Sequence, residues 1–378
     1  MTVNYNKFLV GLIVVLTLNH SLITYFFSGT PLVAWKQVLS FLFVPYILII
    51  FTQFIRRNSV NYFGLMLLLI FFLWIYHIGF LFMDPSYLRG FITFTSLLIL
   101  AVSLSKIVPK VDDKSLVDIA KLSLIYVCLG VVVDSQFQIF YFMSHNYSSD
   151  LSDLYGYRPT FTLGSSSLLA YVVTSLFLLI FYLSERMEVS QPMAGFIIIS
   201  LSALWLSGSR GSILMFCAAL CIIYRKNVFR LLGVAFLGVL IVIFSPGNLN
   251  RISSTFSLLD PGNLTRFYYW DYFLNNYNEM GSILGRGIGY LSSESNIFET
   301  GHFESTFISL YVEVGILGIL LVYLVFPLIL IRSSVNSGIK LFLVFVLIHS
   351  VVVPVVYNFI QIIFCVLTYS ALKEKSYR

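Results

Sequence analysis

Four short stretches in the second half of the chain carry the residue types that could do chemistry. In Ser207-Gly208-Ser209-Arg210-Gly211 an arginine sits in a glycine-bearing turn between two apolar runs. Glycine lets backbone come close to a ligand. A helix starting near Gly211 would turn its positive end toward any anion bound there, with Arg210 beside it. In the stretch 263–280, Arg266 and Trp270 are four apart and share one helix face, and Tyr268, Tyr269, Tyr272, Phe273 and Tyr277 crowd the same segment. Such a helix suits a membrane surface, its cation facing a diphosphate and its rings facing sugar or isoprenoid. Gly285-Arg286-Gly287-Ile288-Gly289 offers successive backbone N–H groups as an anion nest around a third guanidinium. It follows no strand and opens no helix, which excludes a dinucleotide fold. In Glu299-Thr300-Gly301-His302-Phe303-Glu304-Ser305 a histidine stands among carboxylates, the setting of a general base. Glu304 is equally suited to cap the helix that follows.

The elements that must position these residues are membrane helices. The 378 residues are 58% hydrophobic and only 11% charged, with mean hydropathy +0.91. A water-soluble domain cannot hide that much apolar surface, and the long apolar runs exclude a barrel, whose strands would alternate. The fold class is all-α integral membrane. Runs at 8–27, 34–54, 62–82, 90–108, 119–142, 163–183, 193–206, 212–224, 228–244, 305–331, 341–353 and 355–372 give a bundle of about twelve transmembrane helices with one large outward-facing loop. Pro354 favours a tight turn between the last two. The chain then divides into nine helices over 1–245, the large loop with short interfacial helices over 246–304, and three closing helices over 305–378, together one functional domain. The first run is too long for a signal-peptide core and reads as a retained span.

Charge supports this count. With the N-terminus cytoplasmic, the inner loops collect Lys7, Arg56, Arg57, Lys106, Lys110, Lys114, Arg186, Arg225, Lys226, Arg230, Arg332, Lys340 and the tail from Lys373. The positive-inside bias then holds throughout, with both termini inside, and an eleven-span chain would put the basic tail outside. The net charge of +6 follows from these loops, so no nucleic-acid partner is implied. The outer loops keep Lys36, Arg89, Arg158, Arg210, Arg251, Arg266 and Arg286. Arginine dominates a side where cations are normally depleted, and its rigid fork fits phosphate better than a lysine point charge. The residues thus point to an outward site for a phosphate-bearing, lipid-linked substrate. Arg210, Arg266 and Arg286 are the candidates for its diphosphate. Trp270, Tyr269 and Arg158 are the candidates for its glycan and lipid. Within the spans, Asp134 and Glu313 are carboxylates that need a partner or water at that depth. Gly315 and Gly318 after Glu313 suggest close helix contact. Asn19 and His20 read as structural. Cys128, Cys217, Cys221 and Cys365 read as small core residues, without a metal or disulfide role.

Taken in order, Ser209-Arg210-Gly211, Arg266 with Trp270, the glycines at 285, 287 and 289, and the block "ESTFISLYVEVGILG" from Glu304 to Gly318 resemble the bacterial O-antigen ligase and polymerase superfamily over about residues 200–323. The first half resembles it only in hydrophobic character. The resemblance implies metal- and cofactor-independent glycosyl transfer at the outer face of the bacterial cytoplasmic membrane. The donor would be an undecaprenyl-diphosphate-linked oligosaccharide, and a chain-length regulator is a candidate partner. It also implies that arginines hold the diphosphate and that a base, His302 or Glu304, activates the acceptor hydroxyl. In the ligase pattern a histidine stands about nine residues before the helix glutamate. Counting back from Glu313 lands on Glu304-Ser305, and His302 is two residues early. That departure leans toward a repeat-unit polymerase over a ligase.

A flippase for the lipid-linked unit would suit twelve spans, but the chain shows no inverted repeat and little midplane charge. A non-enzymatic scaffold gives no reason for the arginine bias.

Overall fold

The computed structural model describes residues 2–27, 37–38, 40, 88–140, 159–163, 166–208, 210–224, 233, 236, 264, 271, 283, 285–287, 306–325, 327–328, 340, 343–344, 346–347 and 359–372. Most of these are helical, with no strand among them. The helices are α1 (Thr2–Leu18), α2 (His20–Phe26), α3 (Leu88–Ile107), α4 (Asp113–Phe137), α5 (Ser166–Arg186), α6 (Met193–Leu206), α7 (Arg210–Ile223), α8 (Thr306–Leu320) and α9 (Phe359–Leu372). Most coincide with the apolar runs. The span expected at 62–82, nearly all of those at 34–54 and 228–244, and most of the loop 246–304 lie outside the described residues. Among the described residues, three helices are long and apolar enough to cross a membrane: Asp113–Phe137, Leu168–Arg186 and Phe307–Val325. A fourth span is added if the bent pair α1–α2 counts as one.

The core is built where α4, α5, α6 and α9 pack together, with α1, α3 and α7 around them. Tyr171, Phe177, Phe216 and Phe364 are its largest fully buried side chains, and Phe177 meets Phe216 edge to face at 5.1 Å. By contrast α4 turns Leu122, Leu129 and Phe137 outward. An apolar face left exposed on a helix of this length is what a lipid environment stabilises. Cys128 is buried as expected, but Cys221 is exposed, one helical turn beyond the half-buried Cys217.

One end of the bundle gathers charge. The chain leaves α3 through a short 3-10 turn, Val108–Lys110, favoured by the proline near its start. Asp112 then caps α4, its carboxylate accepting from the Ser115 N–H at 2.8 Å. That hydrogen bond holds the Asp112 carboxyl below its ordinary value of 3.8; burial opposes the shift and the charge of Lys7 adds to it. Arg186, at the end of α5, lies 3.3 Å from Asp113 and donates to the Ala371 carbonyl of α9 at 2.6 Å. The starts of α1 and α4 and the ends of α5 and α9 therefore share this end. Since α6 follows α5 after a short connection, its C-terminus and the turn to α7 lie toward the opposite end, where α4 also finishes.

That opposite end is closed by polar side chains. The first apolar run is not one straight span: it breaks at Asn19, and α1 and α2 bend by 61°. The Asn19 amide donates to the Val15 carbonyl at 2.9 Å and its oxygen accepts from the Tyr126 hydroxyl at 2.8 Å. A 3-10 turn at Phe161–Leu163 docks into the break. The Thr162 hydroxyl donates to the Leu18 carbonyl at 2.8 Å, and the Ser21 hydroxyl donates to the Leu163 carbonyl at 3.1 Å. Beside it, the fully buried Asp134 carboxylate accepts from the N–H groups of Phe140, Thr160 and Phe161 at 2.9, 3.2 and 3.1 Å. The partner that the Asp134 carboxylate needs at its depth is therefore loop backbone. The carboxylate ties together the two ends of the loop that follows α4.

Candidate functional site

Two of the four stretches singled out by residue type have their arginine among the described residues. The first is the turn between α6 and α7. Trp205, Ser207 and Gly208 are buried there, so the turn is set into the molecule. The Gly208 N–H donates to the Trp205 carbonyl at 3.0 Å with φ at 65°, a left-handed residue that ends α6. Arg210 is the first residue of α7. The expected start at Gly211 thus moves back by one position, onto the arginine itself. The first N–H groups of a helix have no intrahelical acceptor, and the helix dipole is positive there. An arginine at that position adds charge of the same sign. The turn accordingly brings the start of a helix and a guanidinium-bearing residue together.

The second is the glycine segment and the helix it meets. Helix α8 is not regular: Gly315 has φ 74° and ψ −165°, a conformation open to glycine and strained for other residues. The Val312 and Glu313 carbonyls, which a regular helix would offer to residues 316 and 317, accept instead from the loop. The Arg286 N–H donates to Val312 at 2.8 Å and the Gly287 N–H to Glu313 at 3.0 Å. The Leu317 N–H, displaced from the helical ladder, donates to the Ile283 carbonyl at 3.3 Å. Gly285 lies flat on this break. A Cβ there would come within 2.4 Å of the Glu313 carbonyl carbon and 2.5 Å of the Val314 nitrogen.

This strap corrects one expectation. The N–H groups of Arg286 and Gly287 do not form an anion nest, because broken-helix carbonyls already take them. Among the described residues, the backbone that approaches α8 at the Gly315 break is that of the loop. What the glycines achieve is to bring half-buried Arg286 against the backbone on either side of Glu313. The Glu313 side chain is 3% exposed. Below the break, Leu310 and Val314 pack with Ile319, Val322 and Tyr323 into a small apolar cluster of their own. Helix α8 runs on into a π turn, Leu321–Val325.

The other candidates, Arg158, Arg266, Tyr269, Trp270, His302 and Glu304, lie outside the described residues. Sequence reasoning missed the strap itself. Glycines at 285 and 315 were both noticed, but nothing in their spacing says that they meet. No group of three or more His, Cys, Asp or Glu able to hold a metal ion occurs among the described residues.

The segment from α6 to the end of α8 contains both structures. Residues 194–323 match the family model described as O-antigen ligase. The match covers about a third of the chain and holds the Arg210 turn, the Arg286 strap and Glu313. It agrees with the resemblance to the O-antigen ligase and polymerase superfamily drawn from the motifs. In general terms it supports a membrane glycosyltransferase-like enzyme of O-antigen synthesis, acting on a lipid-linked oligosaccharide. No curated protein and no solved structure matches the chain.

Proposed function

We propose that the protein polymerises undecaprenyl-diphosphate-linked oligosaccharide repeat units into O-antigen, capsular or exopolysaccharide at the outer face of the bacterial cytoplasmic membrane. The observation that carries this reading is that the segment matching the family holds both an arginine at the start of a helix, Arg210, and an arginine whose backbone is strapped to the break in α8, Arg286. About twelve spans, with both termini cytoplasmic and the loop 246–304 outside, put both residues on the outer side, where the positive-inside bias makes cations costly unless they serve a ligand.

The chemistry asked of the site is modest in kind. An acceptor hydroxyl attacks the anomeric carbon of the donor sugar. The new glycosidic C–O bond forms as the bond from that carbon to the diphosphate oxygen breaks. The hydroxyl proton passes to a base, and the lipid diphosphate leaves with the electron pair. His302 or Glu304 is the base in this reading. Arg210, Arg266 and Arg286 neutralise the leaving diphosphate without a metal. A diphosphate at the start of α7 would gain about 0.3–1 kcal/mol from the helix dipole. Trp270, Tyr269 and Arg158 hold glycan and lipid.

A ligase that moves finished glycan to another acceptor is the second reading, favoured by the description of the matched family. The displaced position of His302 leans the other way. Purified protein given a lipid-linked repeat unit in the presence of a chelator separates the two. The polymerase reading expects a ladder of lengthening lipid-linked chains from repeat units alone. Chains that never lengthen but pass to a lipid or protein acceptor would make it a ligase. Movement of the unit across a vesicle bilayer without either product would make it a flippase.

A further inference from the structure

The strap at the α8 break sets two sets of donors in competition for the same carbonyls. In a continuous helix Val312 and Glu313 would accept from the N–H groups of residues 316 and 317. Here they accept from Arg286 at 2.8 Å and Gly287 at 3.0 Å, while the Leu317 N–H goes to the Ile283 carbonyl at 3.3 Å. Exchanging one set for the other needs a backbone that fits both arrangements. Gly315 makes the break at φ 74° and ψ −165°, and a glycine returns to helical angles without a steric penalty. Closing the helix would strand the loop, because the N–H groups of half-buried Arg286 and buried Gly287 would lose their acceptors. A buried donor without an acceptor is costly, so the broken helix persists until another acceptor arrives. A diphosphate is such an acceptor, and its charge makes its bonds to N–H groups stronger than those of a carbonyl. We propose that the strap is one state of a backbone switch: when a lipid-linked diphosphate takes the Arg286 and Gly287 N–H groups, α8 recovers its own carbonyls and becomes continuous.

The switch rests on the diphosphate reading of this segment, and its test separates the two. Ile283 and Leu317 are both exposed, and their backbones meet only through the strap. Oxidation of purified Ile283→Cys/Leu317→Cys protein should form an internal disulfide that neither single-cysteine variant forms. Geranyl diphosphate added before the oxidant should slow this cross-link about tenfold, since the ligand draws the protein into the other state. Gly315→Ala, strained in the broken conformation, should slow it without ligand. The same variant should bind geranyl diphosphate about tenfold more tightly, because the accepting state is already populated. Once formed, the disulfide should weaken binding about tenfold, and reduction should restore it. Binding with an unchanged rate of cross-linking, unchanged affinity in Gly315→Ala, or a pair that never cross-links overturns the switch while leaving the diphosphate site standing. A wild-type protein that binds no geranyl diphosphate overturns both. If Gly315→Ala does not fold, the oxidised and reduced forms of the cysteine pair make the comparison within one protein, and equal affinity there contradicts the switch.

Discussion

The helix breaks at Asn19 and at Gly315 are closed by different kinds of group. At Asn19 the work is done by side chains: the asparagine amide, the Tyr126 hydroxyl and the hydroxyls of Thr162 and Ser21. All belong to elements that pack in the main core or dock against it. At Gly315 it is done by backbone, from a loop segment whose middle residue is an arginine. Irregular backbone at membrane depth persists only where protein or a polar cavity covers it. The first break meets that condition with polar residues that a stable corner needs in any case. The second meets it by importing a loop, and with the loop a cation. On the proposed reading, the first break is architecture and the second belongs to the site.

Substitutions that should hit one break and spare the other can break this contrast. The largest effect is expected for Gly285→Val, whose side chain has no space above the Glu313–Val314 peptide. Displacing Arg286 should cut polymer synthesis per folded molecule by about a hundredfold or more, beyond the roughly 2 kcal/mol of stability lost as the Val312 and Glu313 carbonyls lose their donors. Normal chain length in this variant would show that the strap is architecture as well. Next comes Asp134→Ala, which leaves buried N–H groups of Thr160 and Phe161 without their acceptor. A loss of about 2 kcal/mol in stability is expected, read as a lower melting temperature and folded yield. Activity per folded molecule should be unchanged. A specific loss of activity would place function at the first break too. Tyr126→Phe removes one partly exposed hydrogen bond to Asn19 and should cost about 0.5–1 kcal/mol, again without a change in specific activity.

The smallest effect lies far from both breaks. Asp112→Ala removes the cap of α4, worth about 1 kcal/mol or less. Because the carboxyl of Asp112 is held below its ordinary value of 3.8, its contribution is present above that pH. It fades as the pH falls through the depressed value. Melting curves from neutral to acid pH should therefore converge for wild type and Asp112→Ala at the acid end. A gap that persists there would assign the effect to packing instead.

The sequence showed the contrast only in part, for a physical reason. Helices were legible because an apolar run of spanning length has few alternatives in a membrane, and α3 to α7 fall where the runs fall. Arg210 was legible because a turn between two short runs can hold few residues. Asn19 stood out as polar, but the 61° bend did not. An asparagine in a helix can as easily bond across to a neighbour. Asp134 stood out by its depth, while its partners, 26 and 27 residues further on, leave no mark in any periodicity. The strap was the least legible. Its bonds run from backbone to backbone, and backbone is the same at every residue. The glycines at 285 and 315 signal only that something comes close.

The most direct measurement is polymer formation by purified wild-type and Arg210→Ala protein, from a lipid-linked repeat unit in chelator. Wild type should build a ladder without added metal. Arg210→Ala, equally well folded and inserted, should leave the repeat unit unextended. A full-length ladder from Arg210→Ala would contradict the claim that an arginine at the start of α7 handles the diphosphate.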